Sequence, residues 1–386
     1  MKILILADTD LSIDARIRRH IFALKNEYEL IITGIKKPEI EGNIEFIDCS
    51  KKKISNELLQ KKRKILRERI AHKKYEEVYW NESYIIELYD NLKNKQFDLI
   101  ISNDVSMLPL GVKLAKERKI KIISDMHEYA PRQFEDLEEW RSLLQKYIYY
   151  LCKTYLPKCD EIVTVAKGIA EEYAKEFNIN VNNVITNAPQ YTQLEVKETD
   201  FEDIKMVYHG AMNFSRHLER LIDIVEKLDE RFTMIFHLIT SNNNDDEYSK
   251  KLLNRIKNSD KCLLEEAVKP EEIVKTIHKY DIGIFFLEPV NFNYKYALPN
   301  KFFDFIQAKL AIAIGPSMEM KNYVEKYKCG IVSDDFTCES LINRLSKLTL
   351  EDIENYKNNS ANLSKIENFE NNSIILRNIV KNLLEN

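Results

Sequence analysis

Apolar and polar positions follow two alternating patterns along this chain. Short apolar runs rich in β-branched residues predict buried strands, and segments with apolar residues at helical spacing predict helices between them. Regular alternation of this kind predicts parallel sheets covered by helices on both faces. In the first half, the predicted strands are residues 3–7, 29–34, 98–102, 120–124, 161–165 and 184–186, and the predicted helices are residues 14–25, 84–95, 111–118, 133–155 and 167–177.

A polar, uneven segment at residues 187–203 interrupts this alternation, which then resumes. The sequence therefore predicts an α/β fold of two doubly wound, Rossmann-like domains that face each other across a cleft. Such a cleft has a binding edge on each side and suits an enzyme that joins two substrates. The predicted domains are residues 1–200 and 201–368, followed by a C-terminal helix at 369–386 that packs back toward the first domain. The predicted strands of the second domain are residues 205–209, 233–239, 261–265, 282–286, 311–314 and 330–332.

The composition is that of a globular protein in a reducing compartment. The 386 residues are 44% hydrophobic and 31% charged, and the net charge of −4 argues against nucleic acid as a partner. No apolar run reaches the roughly 20 residues that span a bilayer, and the apolar start is too short for a signal peptide. Six scattered cysteines without a C-x-x-C pair predict reduced thiols, no structural zinc and a cytoplasmic location.

Open parallel sheets bind ligands beyond the carboxyl ends of their strands, so the loops there are the candidate sites. The first loop contains Asp8 and Asp10. An Asp-x-Asp pair after a strand fits a phosphatase nucleophile or a metal site, and it equally fits a polar loop before a helix that begins near Asp14. The chain has 8 glycines and neither a G-x-G-x-x-G nor a P-loop motif, which argues against glycine-rich phosphate sites.

Residues 296–306 form the strongest candidate for a phosphate site. Pro299 suits the first position of a helix, and the phenylalanines after it supply an apolar face. The amides of Asn300 and Lys301 have no intrahelical acceptor and lie at the positive end of the helix dipole, which suits a diphosphate. Lys301 adds charge, and Asp304 lies one turn further on, where a carboxylate suits a ribose diol. The alternative is an ordinary surface helix.

Two other loops carry candidate side chains. Gly210 follows strand 205–209 and allows a close backbone approach, and Arg216 next to the following helix carries a guanidinium that suits the same phosphates. His127 follows strand 120–124 between acidic neighbours, and it is a candidate to contact a sugar hydroxyl or to stabilise developing charge. The alternatives are a solvated arginine and a structural histidine. The loops assemble no Ser-His-Asp or Cys-His constellation.

These segments, in this order, resemble the retaining nucleotide-sugar glycosyltransferases of the GT-B fold, in family 4. The resemblance covers most of the chain. Its most specific part is residues 298–305, which resemble the Pro-Asn-Lys variant of the donor-site helix. The other matching segments are residues 14–19 (opening helix), 125–128 (Asp-x-His-Glu loop), 184–189 (end of the first domain) and 207–216 (diphosphate loop).

The resemblance implies that the first domain binds the acceptor and the second domain binds the nucleotide sugar, without a metal or other cofactor. On the acceptor side it implies Asp14 and Arg16. The implied catalytic residues are His127, which contacts the transferred sugar, and Arg216, which stabilises the leaving diphosphate. The implied donor-binding residues are Pro299, Asn300, Lys301, Asp304, Gly210 and Val268, the last through its backbone to the nucleobase.

The chain departs from the family pattern at several places, among them Lys309-Leu310-Ala311, which stands where Gly-x-Pro is common, and a first loop that lacks the usual glycines. The family has Glu, seven residues and then Glu; here Asp304 replaces the second Glu, and Tyr296 stands at the first position. Glu288 lies further upstream, so Tyr296 and Glu288 are both candidates for a sugar contact. Ala211 or Met212 stands where a second basic residue is usual.

Residues 51–74 are the main charge anomaly, with eleven lysines and arginines against Glu57 and Glu68. Apolar residues at helical spacing within this segment predict a basic amphipathic helix, which is typical of a surface that lies on anionic lipid. The alternative is a helix that packs through its apolar stripe on its own sheet. The stripe comprises Ile54, Leu58, Leu59, Ile65, Leu66 and Ile70.

Together these features predict a cytoplasmic glycosyltransferase, peripheral at the inner face of the membrane through residues 51–74. It would transfer a sugar, most simply from a UDP donor, to a glycan or lipid-linked acceptor in polysaccharide or glycoconjugate biosynthesis. The partners expected are a nucleotide sugar and that acceptor. Two alternatives remain open: a catalytically degenerate relative that scaffolds an active glycosyltransferase, and a nucleotide-sugar epimerase of the same fold.

Overall fold

The computed structural model describes residues 1–52, 54–239 and 247–385. They form two compact units. The first comprises residues 1–186, 291–293 and 372–386, and the second comprises residues 187–290 and 294–371. Among the described residues, no helix is long and apolar enough to cross a membrane.

The first unit is built on a parallel sheet of seven strands in the order β3-β2-β1-β4-β5-β6-β7. The strands are β1 (Lys2–Leu6), β2 (Glu29–Gly34), β3 (Ile44–Asp48), β4 (Leu99–Asn103), β5 (Lys121–Met126), β6 (Glu161–Thr164) and β7 (Asn183–Val184). The helices are α1 (Ala15–Leu24), α2 (Asn56–Ala71), α3 (Tyr75–Trp80), α4 (Ser83–Leu92), α5 (Asp104–Arg118), α6 (Glu138–Leu143), α7 (Gln145–Tyr155) and α8 (Lys167–Phe177).

The second unit is built on a parallel sheet of six strands in the order β10-β9-β8-β11-β12-β13. The strands are β8 (Ile204–Ala211), β9 (Phe232–Ile239), β10 (Cys262–Glu265), β11 (Ile282–Phe285), β12 (Ala311–Ile314) and β13 (Gly330–Val332). The helices from this half of the chain are α9 (Glu219–Lys227), α10 (Glu247–Lys257), α11 (Ile273–Ile277), α12 (Phe292–Lys295), α13 (Asn300–Gln307), α14 (Met318–Tyr327), α15 (Cys338–Leu345), α16 (Leu350–Ser364) and α17 (Phe369–Glu385).

The central strands are buried on both faces, as a doubly wound sheet requires. In β1, Ile3, Leu4 and Ile5 are fully buried, and Ile3 pairs with Leu30 of β2 and Leu99 of β4. The strands that follow β1 are therefore added on one side of it, as β2 and β3, and the later strands, from β4 on, are added on its other side. The same reversal occurs in the second unit between β8 and β11. Ligands of open parallel sheets bind at the carboxyl ends of strands at these switch points.

The structure adds detail that the alternation alone does not predict. Strand β3 lies at the edge of its sheet and buries only Ile47 of its five residues, so its apolar signal is weak. Helix α5 begins at Asp104, seven residues before the start predicted at residue 111. The helix predicted over residues 133–155 is divided into α6 and α7, after a short 3-10 turn that contains Pro131.

The first unit ends at Thr186, whereas the sequence predicts a boundary at residue 200. The polar segment after it packs on the second unit, where the amide of Thr192 donates to Oε1 of Gln307 at 3.1 Å. Residues 372–386 belong to the first unit. There, Nδ2 of Asn372 donates to the carbonyl oxygen of Thr186 at 3.0 Å.

Candidate functional site

The second unit gathers positive charge at its switch point. Gly210, at the carboxyl end of β8, has a φ of +120°, a conformation that favours glycine. A Cβ atom at this position would lie 3.2 Å from Nζ of Lys301 and 3.8 Å from Nη1 of Arg216. The absence of a side chain on Gly210 therefore lets two cationic side chains converge at the end of the strand. The structure thus brings together three residues that the sequence interpretation assigns to one phosphate site; their binding role stays a prediction.

Lys301 is only 5% exposed, although it lies in the first turn of α13. Its Nζ donates to the hydroxyl of Tyr208 at 2.7 Å and lies 3.9 Å from the centroid of the Tyr208 ring. Burial, together with the nearby charge of Arg216, lowers the pKa of Lys301 well below its usual value. An anion at this place would favour the charged form of the amine again.

Arg216 shares the same hydroxyl. Its Nη1 donates to Oη of Tyr208 at 3.2 Å. Burial raises the pKa of Tyr208, so the phenol stays neutral and does not cancel either positive charge. The two cations are therefore held close together by a neutral oxygen, an arrangement that attracts a multiply charged anion.

Helix α13 begins at Asn300, and its first turn carries no side-chain cap. Pro299 is the residue that precedes the helix, with extended backbone, rather than its first helical residue as the sequence predicts. Asn300 is exposed. The uncapped amides, Lys301 and Arg216 together form what we call the cationic site, defined by Gly210, Arg216, Asn300 and Lys301.

Asp304 is buried one turn into α13, with Oδ2 at 3.4 Å from Nε2 of His209. Burial lowers the pKa of His209 well below its usual value, and the charge of Lys301 adds to this effect. The imidazole is therefore neutral at pH 7 and suits a hydrogen-bonding role beside the Asp304 carboxylate.

Three further residues that the sequence analysis places on the donor side are Glu288, Tyr296 and Val268. Glu288 forms an ion pair with Arg220, whose Nη1 lies 2.6 Å from Oε1 of Glu288. Tyr296 is half-buried, and Nζ of Lys295 lies 5.5 Å from its ring centroid. Val268 is half-buried in the loop that follows β10. The carboxylate of Glu288 is thus already engaged by a cation in the structure.

The first unit carries a buried charge cluster at the carboxyl end of β5. The Asp125 carboxylate accepts two hydrogen bonds from Arg16, from Nε at 2.8 Å and Nη2 at 2.7 Å. Nε2 of His20 lies 2.9 Å from the same carboxylate. Burial favours the neutral acid, but Arg16 and the neighbouring histidines hold the pKa of Asp125 well below its usual value.

Arg16 is 6% exposed, and its Nη1 donates to the carbonyl oxygen of Ile185 at 2.8 Å. All three guanidinium nitrogens therefore contact the protein. In the structure Arg16 forms an internal ion pair that ties α1 to β5, and the acceptor contact expected from the sequence stays a prediction. Asp14 has a structural role too, since its side chain caps α1 by accepting from the amides of Arg16 and Ile17.

His127 lies directly after β5 and contacts two carboxylates. Nδ1 lies 3.0 Å from Oδ2 of Asp104, and Nε2 lies 3.6 Å from Oδ2 of Asp125. The amide of His127 also donates to Oδ1 of Asp104 at 3.1 Å. Burial lowers the pKa of His127, but the two carboxylates outweigh it and raise the pKa to about 10.

We expect His127 to be an imidazolium at neutral pH. Because its pKa in the folded protein exceeds the ordinary value of about 6.5, its contribution to stability is complete below pH 6.5 and is lost as the pH rises toward about 10. The Asp104→Asn variant should lower the pKa of His127 and shift this loss to lower pH. Titration by NMR of the imidazole protons checks both values. A His127 pKa near 6.5 in the unaltered protein would contradict this.

Asp104 and Tyr208 are the functional neighbours that the sequence interpretation omits. Asp104 has a φ of 58°, in the left-handed region, directly after β4. The signal that could have identified Asp104 is an acidic residue just after a predicted strand. The sequence predicts the next helix only from residue 111, so Asp104 falls in the middle of a predicted loop. Tyr208 precedes Gly210 by two residues inside β8, where an aromatic residue predicts core. Within the described ranges, no group of three or more His, Cys, Asp or Glu residues is arranged to hold a metal.

Comparison with protein families gives a match over part of the chain. Residues 53–187 match the family model described as Glycosyltransferase Family 4. This confirms the resemblance to family 4 predicted from the sequence. The comparison with curated proteins gives no match.

Solved structures of similar fold cover nearly the whole chain. Sucrose-phosphate synthase from Thermosynechococcus elongatus is similar with a TM-score of 0.73 and 11% identity, over 100% of this chain and 99% of that one. HepE from Anabaena, in complex with UDP-glucose, has a TM-score of 0.69 and 11% identity, over 99% and 100%. WaaG, a glycosyltransferase involved in lipopolysaccharide biosynthesis, has a TM-score of 0.65 and 9% identity, over 98% and 99%. The predicted GT-B fold is thereby confirmed.

Proposed function

Because the chain has the GT-B fold and part of it matches Glycosyltransferase Family 4, we propose that it transfers a sugar from a UDP-sugar to a glycan or lipid-linked glycan. The setting is polysaccharide or glycoconjugate biosynthesis in the cytoplasm. Support for the donor comes from HepE, a protein of the same fold that was solved with UDP and with UDP-glucose. Support for the acceptor class comes from WaaG, whose role is in lipopolysaccharide biosynthesis.

The cationic site is the observation that carries this proposal. When the bond between the sugar and the diphosphate breaks, negative charge grows on the leaving oxygen. Lys301 and Arg216, held beside Gly210, are fixed donors for that charge and need no reorganisation during the reaction. Fixed cations of this kind do the work that a metal does in other transferases, so we propose a metal-independent reaction. Asp304 would bind the ribose, and the backbone at Val268 would contact the base.

In the first unit, His127 would contact the transferred sugar. An imidazolium can donate a hydrogen bond to a sugar hydroxyl and can stabilise charge during transfer. Its two carboxylate partners fix the ring, which gives the hydrogen bond a defined direction. We propose that the anomeric configuration of the sugar is retained, as the resemblance to the retaining family implies. Product analysis by NMR distinguishes retention from inversion.

Thermal unfolding with UDP, GDP, CDP and ADP tests the donor class. At about 100 times its dissociation constant, a nucleotide adds roughly 2.7 kcal/mol to the stability of the folded protein. We expect UDP to raise Tm by several degrees in EDTA as well as in magnesium, with smaller shifts from the other three. Equal, absent shifts from all four nucleotides would contradict the enzyme and favour a scaffold. Nucleotide release without an acceptor, together with an altered sugar, would favour an epimerase.

The basic helix α2 supports a second part of the proposal, contact with an anionic membrane surface. Most apolar side chains of its stripe are exposed: Leu58 is 43%, Leu59 37% and Ile65 36% exposed, whereas Leu66 is half-buried and Ile70 is buried. The stripe therefore does not pack on the sheet over most of its length. Basic and apolar side chains on one exposed helix complement anionic lipid. Lys53 lies outside the described residues.

Vesicle flotation tests this contact. Each basic residue near an anionic surface contributes about 1 kcal/mol, so replacing Lys61, Lys62, Arg63 and Lys64 by glutamine should weaken binding to phosphatidylglycerol vesicles by on the order of 100-fold or more. Binding should also fall with salt and be absent from phosphatidylcholine vesicles. A matched variant with four exposed lysines of the second unit replaced, at 251, 257, 269 and 275, should bind as the unaltered protein does. Equal loss in both variants would contradict a role for α2.

A further inference from the structure

The first unit contains a pocket of about 550 Å³ that shares no residue with the cationic site or with the charge cluster around Asp125 and His127. It is lined by four pieces of chain: one face of α7, the junction of α2 and α3, the 3-10 turn that follows β5, and the end of α8. Ligand pockets for small molecules commonly have volumes of about 300–1,000 Å³, so this one is large enough for a sugar of one to three rings.

Helix α7 supplies a regular pattern of side chains to the pocket. Lys146, Tyr149, Tyr150 and Lys153 are spaced by three, four and seven residues, which places them on one face of the helix. The two tyrosines are half-buried and the two lysines are exposed. A row of this kind offers aromatic rings in the middle and a cation at each end.

The opposite wall of the pocket also carries an aromatic ring and a lysine. Tyr75 begins α3, with its ring centroid 4.9 Å from that of Tyr150. Lys73 lies two residues before it, just after the end of the basic helix α2. Glu176 is the single carboxylate in the wall, and it accepts a hydrogen bond from Tyr149. Within the part of the chain that the structure describes, Lys73, Lys146 and Lys153 form no ion pair.

Contacts with the rest of the first unit hold the tyrosine side chains of this pocket in place. The hydroxyl of Tyr150 donates to Oε1 of Glu76 at 2.8 Å, and the ring of Tyr149 packs on Phe177 with centroids 5.3 Å apart. Gln145 fixes the start of α7, since its Nε2 donates to the carbonyl oxygen of Pro131 at 3.1 Å. The rings therefore keep their positions while the lysine amines at the rim remain available to a ligand.

We propose that this pocket binds an anionic saccharide, a sugar ring that carries a phosphate or carboxylate group. The flat aromatic rings suit the C–H face of a sugar, and Glu176 suits its hydroxyls. Lys73, Lys146 and Lys153 suit the anionic substituent, because three unpaired ammonium groups face one carboxylate. A neutral sugar would form no ion pair with these lysines, and an inorganic anion would not pack on the aromatic rings. The inference is independent of the proposed transfer reaction.

Calorimetric titration of the full chain with glucose 6-phosphate, glucuronate, glucose and inorganic phosphate tests the proposal. The expected result is binding of glucose 6-phosphate or glucuronate at least about tenfold tighter than that of glucose or phosphate, because both halves of the pocket are then used. The Lys146→Gln/Lys153→Gln variant should lose about tenfold or more of this affinity. Tyr149→Leu should lose affinity too, since it removes the ring but leaves the charges.

Two controls separate the pocket from other causes. A Lys61→Gln/Lys62→Gln variant removes the same charge from α2 and should bind glucose 6-phosphate as the unaltered protein does. The rise in Tm with UDP should persist in every pocket variant, so failure of this proposal is distinct from failure of the proposed function. The proposal is overturned if inorganic phosphate binds as tightly as glucose 6-phosphate, if no anionic sugar binds, or if the pocket and α2 variants lose affinity equally.

Discussion

Replacing Lys301 by methionine is expected to reduce sugar transfer by about 100- to 1000-fold and to abolish the rise in Tm with UDP. The removal of one fixed donor to a developing negative charge typically has an effect of this size. The methionine keeps the apolar contact with Tyr208 and Phe285 but cannot donate to the diphosphate. Steady-state kinetics with UDP-glucose, alongside thermal unfolding, measures both effects.

The Lys301 variant should fold at least as well as the unaltered protein. Burial lowers the pKa of Lys301, so its protonated form destabilises the folded state at neutral pH, and methionine removes that penalty. Lys309→Met is the matched control, because Lys309 is a second buried lysine of the same unit whose Nζ contacts Ser364 instead. Its UDP response should stay within about twofold of the unaltered protein. Normal transfer by the Lys301 variant would remove the cationic site from the mechanism.

Replacing Arg16 by methionine should lower the free energy of unfolding by about 3–5 kcal/mol, because it leaves the Asp125 carboxylate buried without its main partner. Adding Asp125→Asn to this variant should recover part of the loss, since the uncompensated charge is removed as well. Urea unfolding measures the change. The stability of the single variant should rise as the pH falls, because protonation of Asp125 relieves the buried charge.

The comparison with Arg18 separates this structural role from an acceptor contact. Arg18 is on the same helix, half-buried, with Nη1 donating to the carbonyl oxygen of Ser12 at 2.9 Å. We expect Arg18→Met to lower the free energy of unfolding by about 1 kcal/mol. If Arg16→Met leaves stability unchanged and raises only the KM for the acceptor, the acceptor role predicted from the sequence is correct and the structural role is wrong.

The repeated strand and helix pattern was sufficient to predict the fold. Buried parallel strands must be apolar on both faces, and helices that cover a sheet must be apolar on one, so both signals are local and readable. The sequence analysis does not predict the edge strand β3, because a strand at the edge of a sheet does not require a continuous apolar run. Part of the cationic site can also be predicted from local sequence. A glycine at a strand end and a proline at a helix start each fix the local backbone, and therefore the positions of Gly210 and Lys301.

The tertiary structure decided which side chains meet across elements. Tyr208 reads as a core residue of β8, yet its hydroxyl receives both Lys301 and Arg216. Arg16 lies beside Asp14 in a segment that suits an acceptor loop, yet folding buries it against Asp125, 109 residues away. The sequence by itself determined the elements, their order and the ends of strands where chemistry gathers, because those depend on neighbours in the chain. Long side chains reach partners that are remote in sequence, so only the packed structure separates a buried ion pair from a cationic site.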